Sequence, residues 1–273
     1  FLPFTKSVPK ELLPLLNNTA LQHVIEEGIA GNINDFYIII NEDKQSIRHY
    51  FTPQRKFENE IKAVNKSTLL DGINDIIASS QFTFINQPQM LGLGHAISLA
   101  KNHIGNEYFG VILPDDIIAY ESSTIGTMIR IAKQEKASVI AVQEIDPVQI
   151  SAYGCIKFSE QIADDMYLID DIIEKPKREE APSNLAIVGR YIFSPDIFEA
   201  IEAITPLAKG EVLLTDAITH LARTGHRVIA YKFKGKRFDT GRPPGWLAAN
   251  IYYGINSSEY GAQIREEINN LIS

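Results

Sequence analysis

Tyr108-Phe109-Gly110-Val111-Ile112-Leu113-Pro114-Asp115-Asp116 is an apolar run that stops at a proline and two carboxylates. It is too short for a stable helix and lacks polar alternation, so it predicts a strand buried on both faces. Similar runs stand at Phe36 to Ile40, Phe82 to Ile85 and Ser138 to Val142. Between and before them lie patterns of helical spacing: Ala20 to Ala30 behind a Thr19 cap, a segment around Lys66 to Ala78, His95 to His103, and Ser123 to Lys136. Strands of this kind alternating with helices predict an α/β fold, a doubly wound and mainly parallel sheet with helices on both faces.

Beyond about Ala141 the pattern shifts. Tyr153 to Phe158, Met166 to Ile173 and Ile187 to Phe193 predict longer strands with shorter separations. Helices follow near Pro195 to Ala203 and Leu214 to Ala222, then a strand at Arg227 to Phe233 and helices from about Gly245 onward. This second part predicts a smaller mixed-sheet region packed beside the first. Lys175 to Ser183 reads as a solvated loop, and no repeat or low-complexity segment suggests a solenoid or propeller.

The 273 residues are 45% hydrophobic and 22% charged, which is ordinary for a globular chain with a substantial core. Lys and Arg number 26 against 34 Asp and Glu, a formal charge of −8. No overall basic field is present for a nucleic-acid backbone or an anionic membrane, although a few cations or a metal can reverse the sign locally. The single cysteine, Cys155, cannot form an internal disulfide or a multi-thiolate metal site. With no membrane-length apolar run and no signal-peptide pattern, the expected location is the cytoplasm.

Ligands of open α/β sheets bind beyond the carboxyl ends of the strands, so the residues that close each strand carry the chemistry. Asp115 closes the opening run, where it can face a crevice and hold Mg²⁺ together with substrate phosphates; alone, the Asp pair reads equally well as a turn cap. Gly92-Leu93-Gly94-His95 precedes a helix and lets a backbone approach a base or phosphate, or simply makes a tight turn. His95 reads as a packed residue at the helix start. Glu174-Lys175-Pro176 places an acceptor and a point charge at a strand end, suited to a sugar hydroxyl and a phosphate or to an ordinary surface pair. Asp239-Thr240-Gly241 offers another carboxylate beside a turn glycine, or an Asx turn. There is no Ser-His-Asp order and no histidine cluster. Separated carboxylates, lysines and glycine loops on such a sheet point to metal-dependent phosphoryl or nucleotidyl transfer.

Several blocks together resemble the bacterial UTP–glucose-1-phosphate uridylyltransferases, essentially end to end. They are Phe1 to Pro14, Gln87 with Gly92 to Ala96, Leu113 to Asp116, Glu174 to Lys177, Ser183 to Tyr191 and Leu214 to Ile218. The resemblance implies a Rossmann-like nucleotidyltransferase in which residues 1–145 form a nucleotide-binding part, 146–243 a sugar-binding part and 244–273 C-terminal helices. It implies that glucose 1-phosphate attacks the α-phosphorus of UTP with Mg²⁺ bound, giving UDP-glucose and pyrophosphate. Asp115 would hold the metal with Asp239 as a second ligand, and Lys6 and Lys175 would contact phosphates. Glu174 would accept from glucose hydroxyls, Gly154 would let the sugar approach the backbone, and Gln87 with the Gly92 backbone would read uracil. Glu11 and Gly189 join the substrate-binding set, and a homo-oligomer is implied.

The sequence departs from the family at Asn86, where Arg is usual, and at Leu213, where Gln is frequent. The family also begins with a strand and a Gly-rich phosphate loop directly before the Phe-Leu-Pro block, which is where this sequence opens. The expectation is therefore a longer polypeptide with that segment upstream. Two other readings compete: a catalytically silent nucleotide-sugar-binding paralogue or regulatory subunit, and transfer from a different nucleoside triphosphate.

Overall fold

The Thr19 hydroxyl accepts the Gln22 N–H at 3.1 Å and so satisfies a free donor at the start of helix α1 (Ala20–Ala30). In the computed structural model, which describes residues 1–119, 122–205 and 210–272, this helix follows a short hairpin of β1 (Pro14–Leu15) and β2 (Asn18–Thr19). The chain continues through β3 (Asp35–Ile40), α2 (Gln45–Tyr50), α3 (Arg55–Ala63), α4 (Asp71–Ser79), β4 (Gln81–Asn86), α5 (Leu93–Ser98) and α6 (Lys101–Ile104). Then come β5 (Phe109–Ile112), β6 (Asp116–Ala119), α7 (Thr124–Glu135), β7 (Ser138–Glu144), β8 (Cys155–Ala163), β9 (Met166–Ile173) and β10 (Leu185–Phe193). Helices α8 (Asp196–Ile204) and α9 (Leu214–Arg223), strands β11 (Val228–Lys232) and β12 (Lys236–Asp239), and helices α10 (Pro243–Ile255) and α11 (Gly261–Ile272) complete it. No helix among the described residues is long and apolar enough to cross a membrane.

The fold is α/β, but its main sheet is mixed rather than mainly parallel. Six strands pair in the order β5-β10-β7-β11-β9-β8. Among the described residues only β7 and β11 run parallel within it, while β10 lies antiparallel between β5 and β7. A second parallel pair, β3 with β4, and an antiparallel pair, β6 with β12, stand as separate ladders. The physical reason is visible in β10. All nine of its residues are buried and all but Arg190 are uncharged, so its sequence carries the near-continuous apolar signature of a parallel strand although it runs the other way. Burial pattern reports which faces are covered, not direction. The main sheet also takes β5 and β7 from the first half of the chain and β8 to β11 from the second. The helical spacing read over His95 to His103 is interrupted between α5 and α6, and α2 and α3 fall in a stretch whose sequence gave no pattern.

At the centre, Arg190 of β10 is fully buried. Its guanidinium meets Glu27 of α1 at 2.8 and 2.9 Å. It also donates to the carbonyls of Leu113 at 3.2 Å, Gly189 at 3.0 Å and Asp116 at 2.7 Å. The other Glu27 oxygen accepts the Ile125 N–H at the start of α7, and the Glu27 carbonyl accepts the Ser123 hydroxyl that caps that helix. One ion pair therefore ties two helices, the central strand β10 and the turn after β5.

Two outcomes follow. Glu27→Gln leaves the buried guanidinium uncompensated, so unfolding in urea should show a stability loss of about 3–5 kcal/mol; a midpoint equal to the parent's would refute the clamp. His23 of α1 stacks on Tyr253 of α10, with ring centroids 4.4 Å apart, and its buried Nε2 has no partner. Burial pushes its pKa below the ordinary 6.5, although the Glu26 carboxylate pulls the other way. The unfolded chain then binds the proton first as pH falls, so the contribution of His23 to stability is complete above 6.5 and declines below it. Urea unfolding between about pH 8 and 5 should show this decline in the parent and a shallower one in His23→Phe.

Candidate active site

Proline cannot continue a strand ladder, so Pro114 ends β5 and the chain turns into β6. Three carbonyls around Asp115 are held. Arg190 takes those of Leu113 and Asp116, and Thr240 donates both its N–H (2.7 Å) and its hydroxyl (2.9 Å) to that of Asp115. Asp116 turns the opposite way. Its buried carboxylate accepts the Gly189 N–H at 2.8 Å and pairs with Arg237 at 2.5 Å.

Register places Asp239 opposite Asp116 at the end of β12, and the turn that follows carries Gly241. A β-carbon built on Gly241 would lie 3.1 Å from both Asp115 Oδ2 and Asp239 Oδ1. The two carboxylates predicted as metal ligands thus converge on one spot, which glycine leaves open. Among the described residues no group of three or more His, Cys, Asp or Glu could hold a metal. A pair of carboxylates matches the one or two that Mg²⁺ commonly takes from a protein. The set already attracts a cation: Lys10 Nζ lies 2.5 Å from Asp115 Oδ2. Burial alone lowers the Lys10 pKa, but Asp115, with lesser help from Glu11 and Asp239, raises it above its ordinary value.

A second patch forms where β9 ends. Glu174 Oε2 lies 3.1 Å from the β-carbon position of Gly154, so the missing side chain leaves space directly beside that carboxylate. Lys175 takes a left-handed φ of 45°, donates its N–H to Tyr153, and brings Nζ to 3.6 Å from Glu174 Oε1. Thr215, at the start of α9, closes the same space with its methyl 3.2 Å from that Gly154 position, and its buried hydroxyl has no partner among the described residues. The Arg237 guanidinium stands 4.8 Å over the Tyr153 ring and so joins this patch to the Asp115–Asp116 turn. Burial and the neighbouring Glu174 push the Cys155 thiol up to about 11, which leaves it protonated and unreactive at neutral pH.

The third patch lies after β4. Gln87 is anchored by its N–H to the Ile40 carbonyl at 2.8 Å, and its side-chain nitrogen reaches His95 Nδ1 at 3.1 Å. Gly92, at φ 96°, and Gly94 press against Val212, where a β-carbon on either would come within 2.8 Å of it. Glu11 is buried; one oxygen meets Lys44 at 2.8 Å and the other has no partner. Buried polar atoms without partners are rare in native proteins, and two of the few here, on Glu11 and Thr215, belong to residues around these patches.

Lys6 sits exposed on a short turn, four residues before the lysine that reaches Asp115. Gly189 serves the turn directly, by its N–H to Asp116 and by its lack of a side chain against Leu113. Sequence reading missed Lys10, Arg237, Asp116 and Thr215. Lys10, Asp116 and Thr215 lie inside the quoted blocks, but nothing in a linear block tells which lysine points at the carboxylate.

The profile of the family described as nucleotidyl transferase matches residues 1–254. The chain is 41% identical over 254 residues to a UTP–glucose-1-phosphate uridylyltransferase of Pseudomonas aeruginosa, covering 92% of this chain and 90% of that protein. A solved UDP-glucose pyrophosphorylase complexed with UDP-glucose superimposes with a TM-score of 0.83 at 37% identity, covering 93% of each chain. The UTP-bound enzyme of Acinetobacter baumannii superimposes with a TM-score of 0.91 at 30% identity, covering 99% of this chain and 94% of that one.

Gly189→Ala tests the packing of the turn. Its β-carbon would sit 2.5 Å from Leu113 Cβ and 2.9 Å from Asp116 Oδ2, so the turn must move. The expected result is a loss of about 1–3 kcal/mol in thermal unfolding, with turnover falling further than stability because Asp115 shifts with the turn. Unchanged turnover would show that the turn tolerates displacement.

Proposed function

The chain belongs to the nucleotidyl transferase family, and from that premise we infer that it is a UTP–glucose-1-phosphate uridylyltransferase, forming UDP-glucose and pyrophosphate. The observation that carries this reading within the chain is the convergence of Asp115 and Asp239 over Gly241, with Lys10 beside them and the Glu174 patch joined through Arg237.

A phosphate oxygen of glucose 1-phosphate is ionised at neutral pH and attacks the α-phosphorus of UTP in line as pyrophosphate leaves. No general base is required, so the protein's task is alignment and charge compensation. Asp115 and Asp239 are the residues that would hold Mg²⁺, which when bound supplies positive charge to phosphate oxygens. Lys6 and Lys10 serve the triphosphate side and Lys175 the sugar phosphate. Glu174 accepts from glucose hydroxyls in the space left by Gly154. Gln87, the Gly92 backbone and the open oxygen of Glu11 receive the base. Gly189 holds the turn that presents Asp115.

By role, residues 1–145 form the nucleotide part, 146–243 the sugar part and 244–273 the C-terminal helices. The doubly wound description is kept for the nucleotide part, where β3 and β4 run parallel with helices between them. One buried thiol fits a reducing cytoplasm. A homo-oligomer rests on the family resemblance alone.

Pyrophosphate release with UTP, TTP, CTP and ATP against glucose 1-phosphate tests the reading; preference for UTP supports it, and no release with any nucleotide would favour a silent paralogue. Asp115→Asn keeps the volume and most hydrogen bonding but removes the charge that faces the cation. Its expected outcome is a folded protein, by circular dichroism, with nearly all turnover lost. Near-normal turnover at saturating Mg²⁺ would remove Asp115 from the metal site.

A further inference from the structure

We propose that His95 is the specificity-determining positioning residue of the base subsite: it holds the Gln87 carboxamide in one orientation, and that orientation separates UTP from CTP. This rests on the reading of Gln87 as the side chain that meets the base.

The contact joins Gln87 Nε2 to His95 Nδ1 at 3.1 Å. An amide nitrogen donates and does not accept, so the imidazole accepts through Nδ1 and carries its ring proton on Nε2. The two ends of a carboxamide are nearly identical in shape and differ in hydrogen-bonding sense. A half-turn about its last torsion swaps donor for acceptor, and that torsion is soft. An unheld glutamine therefore offers either order to a partner. Uracil presents a carbonyl acceptor next to an N–H donor, whereas cytosine presents an amino donor next to a ring-nitrogen acceptor. A freely turning amide pairs with both, and a fixed one pairs with a single pattern. Against the wrong base it leaves donor facing donor and acceptor facing acceptor, both unpaired.

In the observed contact one amide N–H is spent on His95, which leaves the second N–H and Oε1 to face a ligand in a set order. Turning the amide would bring Oε1 to Nδ1, which the ring would meet only by carrying its proton on Nδ1 instead of Nε2. Both backbones are held in place. Gln87 is tied to Ile40 at 2.8 Å, and the loop that carries His95 is stapled to Val212 on both sides. The Val212 N–H donates to Leu91 at 2.7 Å, and the Gly94 N–H donates to Val212 at 2.9 Å. Ser98 Oγ fastens the His95 carbonyl at 2.7 Å. The side-chain contact is thus made between two fixed points, which is what a specificity device requires.

The test compares kcat/KM for UTP and CTP, with glucose 1-phosphate, in the parent, His95→Phe, His95→Asp and Gln87→Ala. His95→Phe keeps a ring but removes the acceptor; His95→Leu replaces it if that variant does not fold. The expected result is a fall in the UTP/CTP ratio of about tenfold or more, arising chiefly from better use of CTP, which damage to the fold would not produce. His95→Asp supplies acceptors only and should keep the parent's ratio, since any effect of its charge acts equally on two nucleotides of equal charge. An unchanged ratio in His95→Phe, or a lost preference in His95→Asp, overturns the proposal. Gln87→Ala separates the two levels. If it loses the preference while His95→Phe retains it, Gln87 reads the base without help from His95. If it retains the preference, the assignment of Gln87 to the base falls, and the proposal with it.

Discussion

A guanidinium cannot be buried unless its charge is matched and its N–H groups find acceptors, and the fully buried Arg190 imposes that demand on the middle of this protein. The solution recruits a carboxylate from α1 and carbonyls from two stretches of backbone, Leu113 and Asp116 of one turn and Gly189 of β10. Such a pair is poor evidence of net stability, because desolvation offsets much of its Coulomb gain. Its value lies in uniqueness. Leu113 and Asp116 have carbonyls on a single rigid, planar fork, so the turn between them has one conformation that satisfies the fork and any other leaves a buried donor open. Asp115 lies inside that turn.

The glycines act on the same turn from the other direction. Gly189 admits Leu113 and Asp116 to distances that a β-carbon forbids, and Gly241 leaves open the spot where Asp115 and Asp239 converge. Close approach at these positions and the fork at Arg190 are complementary constraints: one removes volume where backbone and carboxylates must meet, and the other fixes how they meet. Activity that depends on alignment needs both, since reacting groups about an ångström out of place can cost orders of magnitude in rate.

Much of this was legible in the sequence, for reasons that can be named. Helix α1 follows from a cap and a 3.6-residue period, and the strand ends at Asp115 and Glu174 from where apolar runs stop. Each of these is a local signal. What escaped was non-local. The direction of β10 depends on the register it finds between β5 and β7, and its sequence, apolar except for Arg190, fits either sense. The choice between Lys6 and Lys10 depends on where Asp115 arrives more than a hundred positions later. Asp116 is the twin of Asp115 in sequence, yet Asp115 lies in the turn and Asp116 opens β6, so one reaches Lys10 and the other the Gly189 N–H and Arg237.

The acidic chain must still receive a highly charged triphosphate, and its ion pairs indicate how. Lys10, Lys44, Lys175 and Arg237 are each matched to a carboxylate: Asp115, Glu11, Glu174 and Asp116. Cations paired in this way offer a phosphate little surplus attraction, because each lysine's field is cancelled a few ångströms away. On the proposed function two of these carboxylates would have other partners in the loaded site, Asp115 a divalent cation and Glu174 the glucose hydroxyls. Each such exchange would free a lysine, Lys10 or Lys175, for the phosphates, whereas Lys44 keeps its Glu11 oxygen and Arg237 the buried Asp116. Positive charge would then rise at the reacting phosphates in step with correct occupancy, and a site missing the sugar or the cation would remain closer to neutral. Neutral pairing in the free protein also accounts for how lysines and carboxylates can crowd one crevice without the self-repulsion that a site built of cations alone would impose on the fold.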